Sequence, residues 1–265
     1  MNNILQEIIA NKRIEVERQK QAVDLHTLIR MGGESLERET RSMKTALTTS
    51  SSGIIAEFKR KSPSKGWLFP DADVEKVVAQ YEENGASACS ILTDEAYFGG
   101  SLNDLQQSRK QVKLPLLRKD FIIDEYQIYQ SRIMGADAIL LIASALTTEE
   151  CLQFAKTAHS LSLEVLLEIH NESELNFINP YINLLGINNR NLETFHTDIE
   201  NSFRLAEKMQ AAGGDALLVS ESGISDTEVI KQLRACGFRG FLIGETFMKT
   251  KQPGETLSNF IHQLQ

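Results

Sequence analysis

The chain has 265 residues, of which 42% are hydrophobic and 24% are charged, as in an ordinary globular protein. Its formal net charge of −8 argues against nucleic acid or an anionic membrane as the main partner. Three widely spaced cysteines indicate reduced thiols and a cytoplasmic protein rather than a disulfide framework. Charged residues interrupt the first 20 positions, so neither a signal peptide nor a membrane anchor is expected there.

Residues 1–52 are predicted to form one or two helices that pack against the rest of the chain. Ile4, Leu5 and Ile8 give the beginning of this segment an amphipathic pattern, and charged residues then dominate as far as Lys20. No Pro/Gly-rich linker of domain-separating length comes after it. We therefore predict that residues 1–265 form a single domain, with residues 1–52 as a helical extension.

Beyond residue 53, eight short and continuously apolar runs alternate with helical patterns. Such runs are typical of parallel strands covered on both faces, and their alternation with helices indicates βαβ units. Glycine repeatedly separates a helical pattern from the next run, as expected at helix ends. The repeat predicts a closed (β/α)8 TIM barrel, because an open doubly wound sheet would need a GxGxxG turn that is absent. The predicted strands are 54–58, 88–92, 114–117, 138–142, 165–167, 184–187, 216–219 and 241–243.

Six helix starts carry a capping-box signature, in which Ser, Thr, Asp or Asn is followed three residues later by an acid or Gln. Such a pair satisfies the first free backbone N–H groups of a helix. The pairs are Ser101 with Asp104, Asp124 with Gln127, Thr147 with Glu150, Asn171 with Glu174, Thr197 with Glu200, and Ser225 with Glu228.

Most apolar runs end in charged or amide residues, and in a βα-repeat barrel these ends meet at one mouth. In the motif IAEFKRKSPSKG, Glu57 and Lys59 alternate along the strand end and so share a face. A solvated loop explains Arg60 and Lys61, but it does not explain charges inside an apolar strand, which are costly when unpaired. We predict that Glu57 and Lys59 bind or polarise an anionic substrate.

Lys119 directly follows the third run, and Glu168 ends the fifth. An apolar pocket would lower the pKa of Lys119 and make it a better proton donor, whereas the alternative is a salt bridge to Asp120 at the rim. Glu168 is predicted to face Lys119, giving an acid and a base with pKa values pushed apart. His170 is the rival of Glu168, but it has no partner at metal-ligand spacing, so no metal is expected.

The sixth, seventh and eighth runs are followed by groups suited to anions. Asn188 and Arg190 have alternate-residue spacing and are predicted to share a face, and the planar fork of Arg suits carboxylate or phosphate. The motifs SESGIS and IGETF follow the seventh and eighth runs, where barrels often bind phosphate through backbone N–H groups. Gly223 and Gly244 permit close backbone approach and Ser222 adds a hydroxyl, so we predict an anion site there.

Two aromatic residues, Phe98 and Phe121, follow the second and third runs and either wall an aromatic pocket or belong to the core.

The chain resembles the indole-3-glycerol phosphate synthase family along its whole length. The motifs that carry this resemblance are, in order, IAEFKRKSPSKG, ILTDEAYFGGS, LRKDFIIDEYQ, ADAILLI, LLEIH, GINNRNL, ESGI and LIGE. The resemblance implies a barrel that closes the indole ring in tryptophan biosynthesis without a metal or organic cofactor. The implied substrate is 1-(2-carboxyphenylamino)-1-deoxyribulose 5-phosphate, and the products are indole-3-glycerol phosphate, carbon dioxide and water.

The resemblance also implies roles for individual residues. Lys119 would be the general acid that protonates the ketone oxygen, and Glu168 would serve the later dehydration. Lys59 would bind the anthranilate carboxylate, with or without a share in proton donation, and Glu57 would orient it. The further implied residues are Asn188 and Glu221 for hydrogen bonds to substrate hydroxyls or neighbouring side chains, Ser62, Arg190, Ser222, Gly223 and Gly244 for anionic groups, and Phe98, Phe121, Leu140 and Leu192 for the aromatic ring. At position 245 the family has Ser or Glu, so Glu245 contributes either its side chain or only its backbone N–H.

Two other functions fit the same residues. A phosphosugar aldolase would use Lys119 as a Schiff-base nucleophile. A catalytically silent barrel would only bind a phosphorylated metabolite, although a binder needs no matched acid and base. The expected partner is a phosphorylated small molecule rather than nucleic acid or membrane, and the expected assembly is a monomer or weak homo-oligomer in the cytoplasm.

Overall fold

The computed structural model describes residues 4–190, 197–212 and 215–264. Within these ranges eight parallel strands close into a barrel, in which strands consecutive in sequence are neighbours and the first pairs with the eighth. The strands are β1 (Ile54–Phe58), β2 (Ala88–Leu92), β3 (Leu116–Lys119), β4 (Ala138–Ile142), β5 (Glu164–Ile169), β6 (Leu184–Asn188), β7 (Leu217–Glu221) and β8 (Gly240–Ile243). The TIM barrel predicted from the sequence is confirmed.

Several strands extend further toward their carboxyl ends than the apolar runs predicted. β3 begins at Leu116 rather than at residue 114, because Pro115 has no N–H to donate to the ladder. β5, β6 and β7 include Glu168, Asn188 and Glu221. These polar residues stay within the strands because their side chains line a pocket at the barrel mouth. Hydrophobicity alone therefore underestimated the strand lengths.

Within residues 4–52, four helices precede the barrel, where one or two were predicted: α1 (Ile4–Ala22), α2 (Leu25–Gly32), α3 (Glu34–Glu37) and α4 (Met43–Thr49). The helices in the rest of the chain are α5 (Val74–Glu83), α6 (Glu95–Phe98), α7 (Leu102–Gln111), α8 (Glu125–Ile133), α9 (Thr148–Ser160), α10 (Glu200–Ala212), α11 (Thr227–Ala235), α12 (Glu245–Met248) and α13 (Pro253–His262). Single 3₁₀ segments lie at Ala143–Ala145 and Glu172–Phe177, and a short hairpin pairs Lys61–Ser62 with Gly66–Trp67. No helix in the described ranges is long and apolar enough to cross a membrane.

Most of the predicted capping residues accept a backbone N–H at the start of their helix. They do so at Ser101, Asp124, Thr147 and Asn171, although Asn171 caps a 3₁₀ segment rather than an α-helix. The prediction at Ser225 is wrong, because the side chain of Asp226 caps α11. At the start of α10 it is Asp198 that accepts the N–H of Glu200.

Two apolar cores hold the barrel together. One lies between the strands and the outer helices, and the other fills the barrel interior. Met43 and Leu47 of α4 join the interior core, and Leu47 lies against Gly240 at the start of β8, so α4 covers the amino-terminal end of the barrel. Leu5 and Ile8 of α1 join the same core but line the pocket at the opposite end.

Polar contacts attach the N-terminal helices to the barrel wall. Asp137, just before β4, is fully buried and forms ion pairs with Arg38 (2.9 Å) and Arg109 (2.6 Å). Ser42, which caps α4, donates a hydrogen bond of 2.6 Å to Glu164 on β5. The extension therefore packs directly against the barrel at its amino-terminal end.

Candidate active site

A cavity of about 640 Å³ opens at the carboxyl ends of the barrel strands, where TIM barrels carry their active sites. Every predicted site residue within the described ranges lines it. These residues are Glu57, Lys59, Ser62, Phe98, Lys119, Phe121, Leu140, Glu168, Asn188, Arg190, Glu221, Ser222, Gly223, Gly244 and Glu245. Leu192, the remaining predicted residue, lies outside the described residues.

Lys119 lies at the centre of the charged part of the pocket. Its ammonium is 2.9 Å from Glu168 Oε2 and also donates a hydrogen bond to Glu221 Oε2. Lys119, Glu168 and Glu221 lie at or next to the carboxyl ends of β3, β5 and β7, so three side chains distant in sequence converge on one point. All three are largely buried, and the side chain of Lys119 is 14% exposed. An ammonium shared by two carboxylates is an arrangement for moving protons.

The prediction that the pocket lowers the pKa of Lys119 is wrong. Burial alone would lower it, but the carboxylates of Glu168, Glu221 and Glu57 outweigh burial and raise the pKa above its ordinary value. Lys119 is therefore an ammonium at neutral pH. A Schiff-base nucleophile must be a neutral amine, so this environment disfavours the aldolase alternative.

The two groups whose pKa values are pushed apart are both carboxyls. Burial would raise the pKa of Glu168, but Lys119, His170 and Asn188 hold it well below its usual range. Burial raises the pKa of Glu221 to about 7, and the nearby charge of Glu168 adds to that effect against the opposing pull of Lys119. Glu168 is thus ionised at neutral pH while Glu221 holds a proton part of the time.

Two glycines make room for these carboxylates. A Cβ at Gly186 on β6 would lie 2.0 Å from Glu221 Oε1, and a Cβ at Gly244 after β8 would lie 2.4 Å from Glu57 Oε1. Real Cβ contacts are essentially never that short, so a larger residue at either position would force the neighbouring carboxylate to move. Gly186 was not predicted as a site residue.

The other polar groups near the lysines are ordered by hydrogen bonds. Lys59 donates to Glu57 Oε1 at 2.7 Å, at the end of β1. Asn188 donates to Glu168 Oε1 at 3.0 Å from the end of β6. The ammonium groups of Lys59 and Lys119 thus pair directly with the carboxyls of Glu57, Glu168 and Glu221.

One wall of the pocket is apolar. The rings of Phe98 and Phe121 lie 6.0 Å apart at an angle of 38°. Leu140 of β4 and Ile8 of α1 line the cavity with them. This wall suits an aromatic ring, and its α1 side was not predicted from the sequence.

The loops after β7 and β8 form the opposite side of the pocket. Ser222 and Gly223 both have positive φ, 66° and 79°, and the hydroxyl of Thr246 donates to Ile224 O at 3.0 Å, joining the two loops. A serine in the left-handed region is uncommon, and the surrounding loop holds Ser222 in this conformation. The side chain of Ser222 therefore faces the cavity from a conformation that the loop imposes.

Arg190 lies at the rim of this side of the pocket. Its guanidinium is 3.1 Å from Glu245 Oε2 and 3.1 Å from Ser64 Oγ. The carboxylate of Glu245 thus pairs with one nitrogen of the Arg190 guanidinium, a group suited to binding phosphate.

A second charged cluster behind the pocket was missed from the sequence. We call it the anchor cluster: Lys12, Asp94, Arg118 and Asp120. Lys12 of α1 is fully buried and lies 3.0 Å from both Asp94 and Asp120, and Arg118 lies 2.8 Å from Asp120. The signal was available, because Lys12 continues the apolar stripe of Leu5 and Ile8 at helical spacing. The rim salt bridge between Lys119 and Asp120 is not formed; Asp120 pairs with Arg118 and Lys12.

His170 contacts two carboxylates rather than a metal-ligand set. Its Nε2 lies 3.3 Å from Glu168 Oε1 and its Nδ1 lies 3.7 Å from Glu174 Oε2. Across residues 4–190, 197–212 and 215–264, no group of three or more His, Cys, Asp or Glu side chains is arranged to hold a metal ion.

The fold and the site together define a TIM-barrel enzyme whose pocket holds buried acidic and basic side chains beside the loops after β7 and β8. The family model for indole-3-glycerol phosphate synthase matches residues 5–264. The chain belongs to the indole-3-glycerol phosphate synthase family, and it is a carboxy-lyase of tryptophan biosynthesis.

Curated relatives named indole-3-glycerol phosphate synthase agree with this family over nearly the whole chain. The protein of Bacteroides thetaiotaomicron is 61% identical over 100% of both chains. That of Prochlorococcus marinus is 41% identical over 99% of this chain and 90% of its own length. That of Neisseria meningitidis serogroup B is 42% identical over 94% of this chain and 95% of its own.

Solved structures with low sequence identity support the fold alone. The tryptophan synthase alpha chain of Legionella pneumophila superposes with a TM-score of 0.59 at 15% identity, covering 86% of this chain and 96% of that one. A mutant tryptophan synthase alpha-subunit from Pyrococcus furiosus gives a TM-score of 0.63 at 13% identity, covering 81% and 98%.

Proposed function

We propose that the pocket converts 1-(2-carboxyphenylamino)-1-deoxyribulose 5-phosphate into indole-3-glycerol phosphate, carbon dioxide and water. The observation that carries this proposal is the ammonium of Lys119 held between Glu168 and Glu221, two carboxyls of opposite pKa shift. Ring closure followed by dehydration needs a proton donor for the oxygen of the former ketone and a proton acceptor at the adjacent carbon, and these groups supply both.

The two ends of the substrate match the two sides of the cavity. The phosphate would bind the backbone of the loops at Ser222, Gly223 and Gly244, with Arg190 at the rim. The anthranilate carboxylate would bind Lys59, oriented by Glu57. The other proposed contacts are Ser62 for an anionic group and Phe98, Phe121, Leu140 and Leu192 for the aromatic ring.

In the first step, the ring carbon that bears the carboxylate forms a bond to the ketone carbon, and Lys119 gives a proton to the ketone oxygen. Carbon dioxide then leaves with its bond electrons returned to the ring. Glu221 hydrogen-bonds the ammonium of Lys119 and has a pKa raised to about 7, so it can return the proton that Lys119 has donated.

In the second step, the new hydroxyl group leaves as water. This requires one proton delivered to the leaving oxygen, which Lys119 supplies after Glu221 has reprotonated it, and one removed from the adjacent ring carbon. Glu168, kept ionised and fixed by Asn188, is the acceptor we propose. Glu221 and Asn188 also line this side of the cavity, within reach of the substrate hydroxyls.

The experiment is to supply the ketose phosphate and follow the rise of indole fluorescence together with release of carbon dioxide. Equal amounts of both products are expected. Borohydride added during turnover should trap no substrate, because Lys119 is an ammonium rather than a free amine. Absence of indole, or covalent trapping on Lys119, would refute the proposal.

We also propose that residues 1–265 act as one folding unit in the cytoplasm, as a monomer or weak homo-oligomer. The ion pair of Arg38 with Asp137 and the burial of Lys12 support a single unit, because they join the extension to the barrel. A single unfolding transition and a monomer mass in light scattering are expected. Two separate transitions, or a tight oligomer, would contradict this.

A further inference from the structure

His170 lies directly behind Glu168 and has no part in the proposed reaction steps. It follows β5, and its Nε2 is 3.3 Å from Glu168 Oε1 while its Nδ1 is 3.7 Å from Glu174 Oε2. Neither ring nitrogen has a hydrogen-bond partner of linear geometry, so these are contacts between charges rather than directed hydrogen bonds. The imidazole is therefore held between two carboxylates and 15% exposed.

The surrounding elements fix the ring in this position. Glu174 accepts the backbone N–H of His170 at 2.6 Å, and Asn201 of α10 donates to the His170 carbonyl at 3.0 Å. Asn201 also donates to the Asn188 carbonyl at 3.3 Å, so the ends of β5 and β6 are joined beneath Glu168. Among the described residues, the charged groups in contact with the ring are Glu168 and Glu174, and Asn201 on α10 is neutral.

The charge balance of the pocket gives this contact a consequence. Glu57, Glu168 and Glu221 are three carboxyls with only Lys59 and Lys119 as ammonium partners among the described residues of the cavity. A cationic His170 adds a third positive charge, but it also lies against the carboxylate of Glu174, so one carboxyl is still in excess. A proton bound there lies on whichever carboxyl is least well compensated. Glu168 contacts Lys119, Asn188 and His170, whereas Glu221 Oε1 is buried without a hydrogen-bond partner.

We propose that His170 is a positioning residue that acts through Glu168: as an imidazolium it keeps Glu168 ionised and leaves the exchangeable proton on Glu221. The inference rests on the proposed function, since it assigns a direction to proton transfer in that site. Burial would lower the pKa of His170, but Glu168 and Glu174 raise it to about 10, which agrees with a cation at neutral pH.

The direction in which the pKa of Glu168 should shift follows from the positive charge of the His170 imidazolium. Without the imidazolium, Glu168 loses a nearby positive charge and its pKa rises. The acidic limb of the pH dependence of kcat/KM, which reports protonation of Glu168, should therefore move to higher pH. An opposite charge within contact distance shifts a carboxyl by about one unit or more, so a shift of about one pH unit is expected.

The test compares His170→Gln with His159→Gln, a histidine on the exposed surface of α9. Gln keeps an N–H donor near the Nε2 position and lacks the charge. The acidic limb should move in His170→Gln and stay in place in His159→Gln, with KM for the ketose phosphate changed less than kcat. If His170→Gln turns over substrate as fast as the wild type and its acidic limb does not move, this role is wrong. If the wild-type enzyme itself does not convert the ketose phosphate, the proposed function is wrong.

A second measurement on the unmodified enzyme covers the case in which the variant fails to fold. The protein has five histidines, and their ring carbons can be followed by NMR after isotope labelling. One imidazole should stay protonated from pH 6 to 8, and Glu174→Gln should lower the pKa of that same resonance. If all five rings titrate near the ordinary value of about 6.5, the inference is wrong.

Discussion

Two buried charge clusters lie side by side in this barrel and differ in their balance. The anchor cluster has two buried cations and two buried carboxylates, and Lys12 also pairs with the partly exposed Glu15 at 2.8 Å. Asp120 is further bound by the hydroxyl of Thr93 at 2.6 Å. The pocket cluster (Glu57, Lys59, Lys119, Glu168 and Glu221) has two cations and three carboxyls. A cluster whose buried carboxylates are matched by an equal number of buried cations fixes an element in place, whereas an excess buried carboxyl retains a proton that can be moved.

The direction of the pKa shifts follows this difference. In the anchor cluster, burial opposes the charged forms, but the pairing of Lys12 with Asp120 and Asp94 raises the pKa of Lys12, and Arg118 with Lys12 holds the pKa of Asp120 well below its usual range. Both partners are thus fixed in their charged forms. In the pocket cluster, by contrast, Glu221 has a pKa near neutrality, at about 7.

Removal of the shared ammonium is the largest change expected. Lys119→Ala deletes the general acid and leaves Glu168 and Glu221 without their common partner, so kcat should fall by about 10⁴, the upper end of the range for general acid catalysis. Substrate binding should weaken far less, as measured by single-turnover titration. Lys76→Ala, at an exposed lysine, serves as the control. Near-wild-type turnover would remove Lys119 from the mechanism.

Breaking the anchor cluster should affect stability instead of chemistry. Lys12→Met leaves Asp94 and Asp120 buried with less compensation, and removal of one partner of a buried pair costs about 3–5 kcal/mol of the free energy of unfolding. Urea denaturation measures this. Lys20→Met breaks a partly exposed pair with Asp124 and should cost less than about 1 kcal/mol. Equal losses in the two variants would contradict the distinction between the clusters.

Displacing Glu221 without changing its charge tests the geometry of the pocket cluster. In Gly186→Ala the new Cβ would meet Glu221 Oε1 at 2.0 Å, so the carboxyl must move, and a displacement of this kind typically costs about 10² in turnover. Gly240→Ala is a matched control, because its Cβ would meet Val219 at 2.8 Å, away from the pocket. That variant should lose stability but keep kcat. A similar kcat in both variants would argue against a role for the position of Glu221.

The smallest effect is expected at the rim, where Arg190 pairs with Glu245. Both side chains are partly exposed, and such pairs contribute at most about 1 kcal/mol. Glu245→Gln frees one arm of Arg190 and removes a negative charge from the anion site, so KM for the ketose phosphate should fall by up to about fivefold. Glu255→Gln, on α13 outside the active-site cavity, is the control. A rise in KM would show that the Glu245 side chain assists binding.

By itself, the sequence determined the barrel and the composition of its mouth. The apolar runs between helical patterns predicted eight parallel strands, and polar residues at the run ends predicted which side chains line the cavity. These features are local, because strand period, helix caps and the residue that ends a strand are each read within a few positions. Family resemblance then assigned expected roles to the residues, which remain proposals.

Only the tertiary structure decided the charges of those residues. The pKa of Lys119 rises rather than falls because Glu168 and Glu221, 49 and 102 positions away, lie against it. Lys12 is buried because it lies against Asp94 and Asp120, which are distant in sequence. Gly186 likewise lies close to Glu221 only because two separate strands meet there. Electrostatic energies vary with distance and solvent access, and neither quantity can be read from the order of residues along the chain.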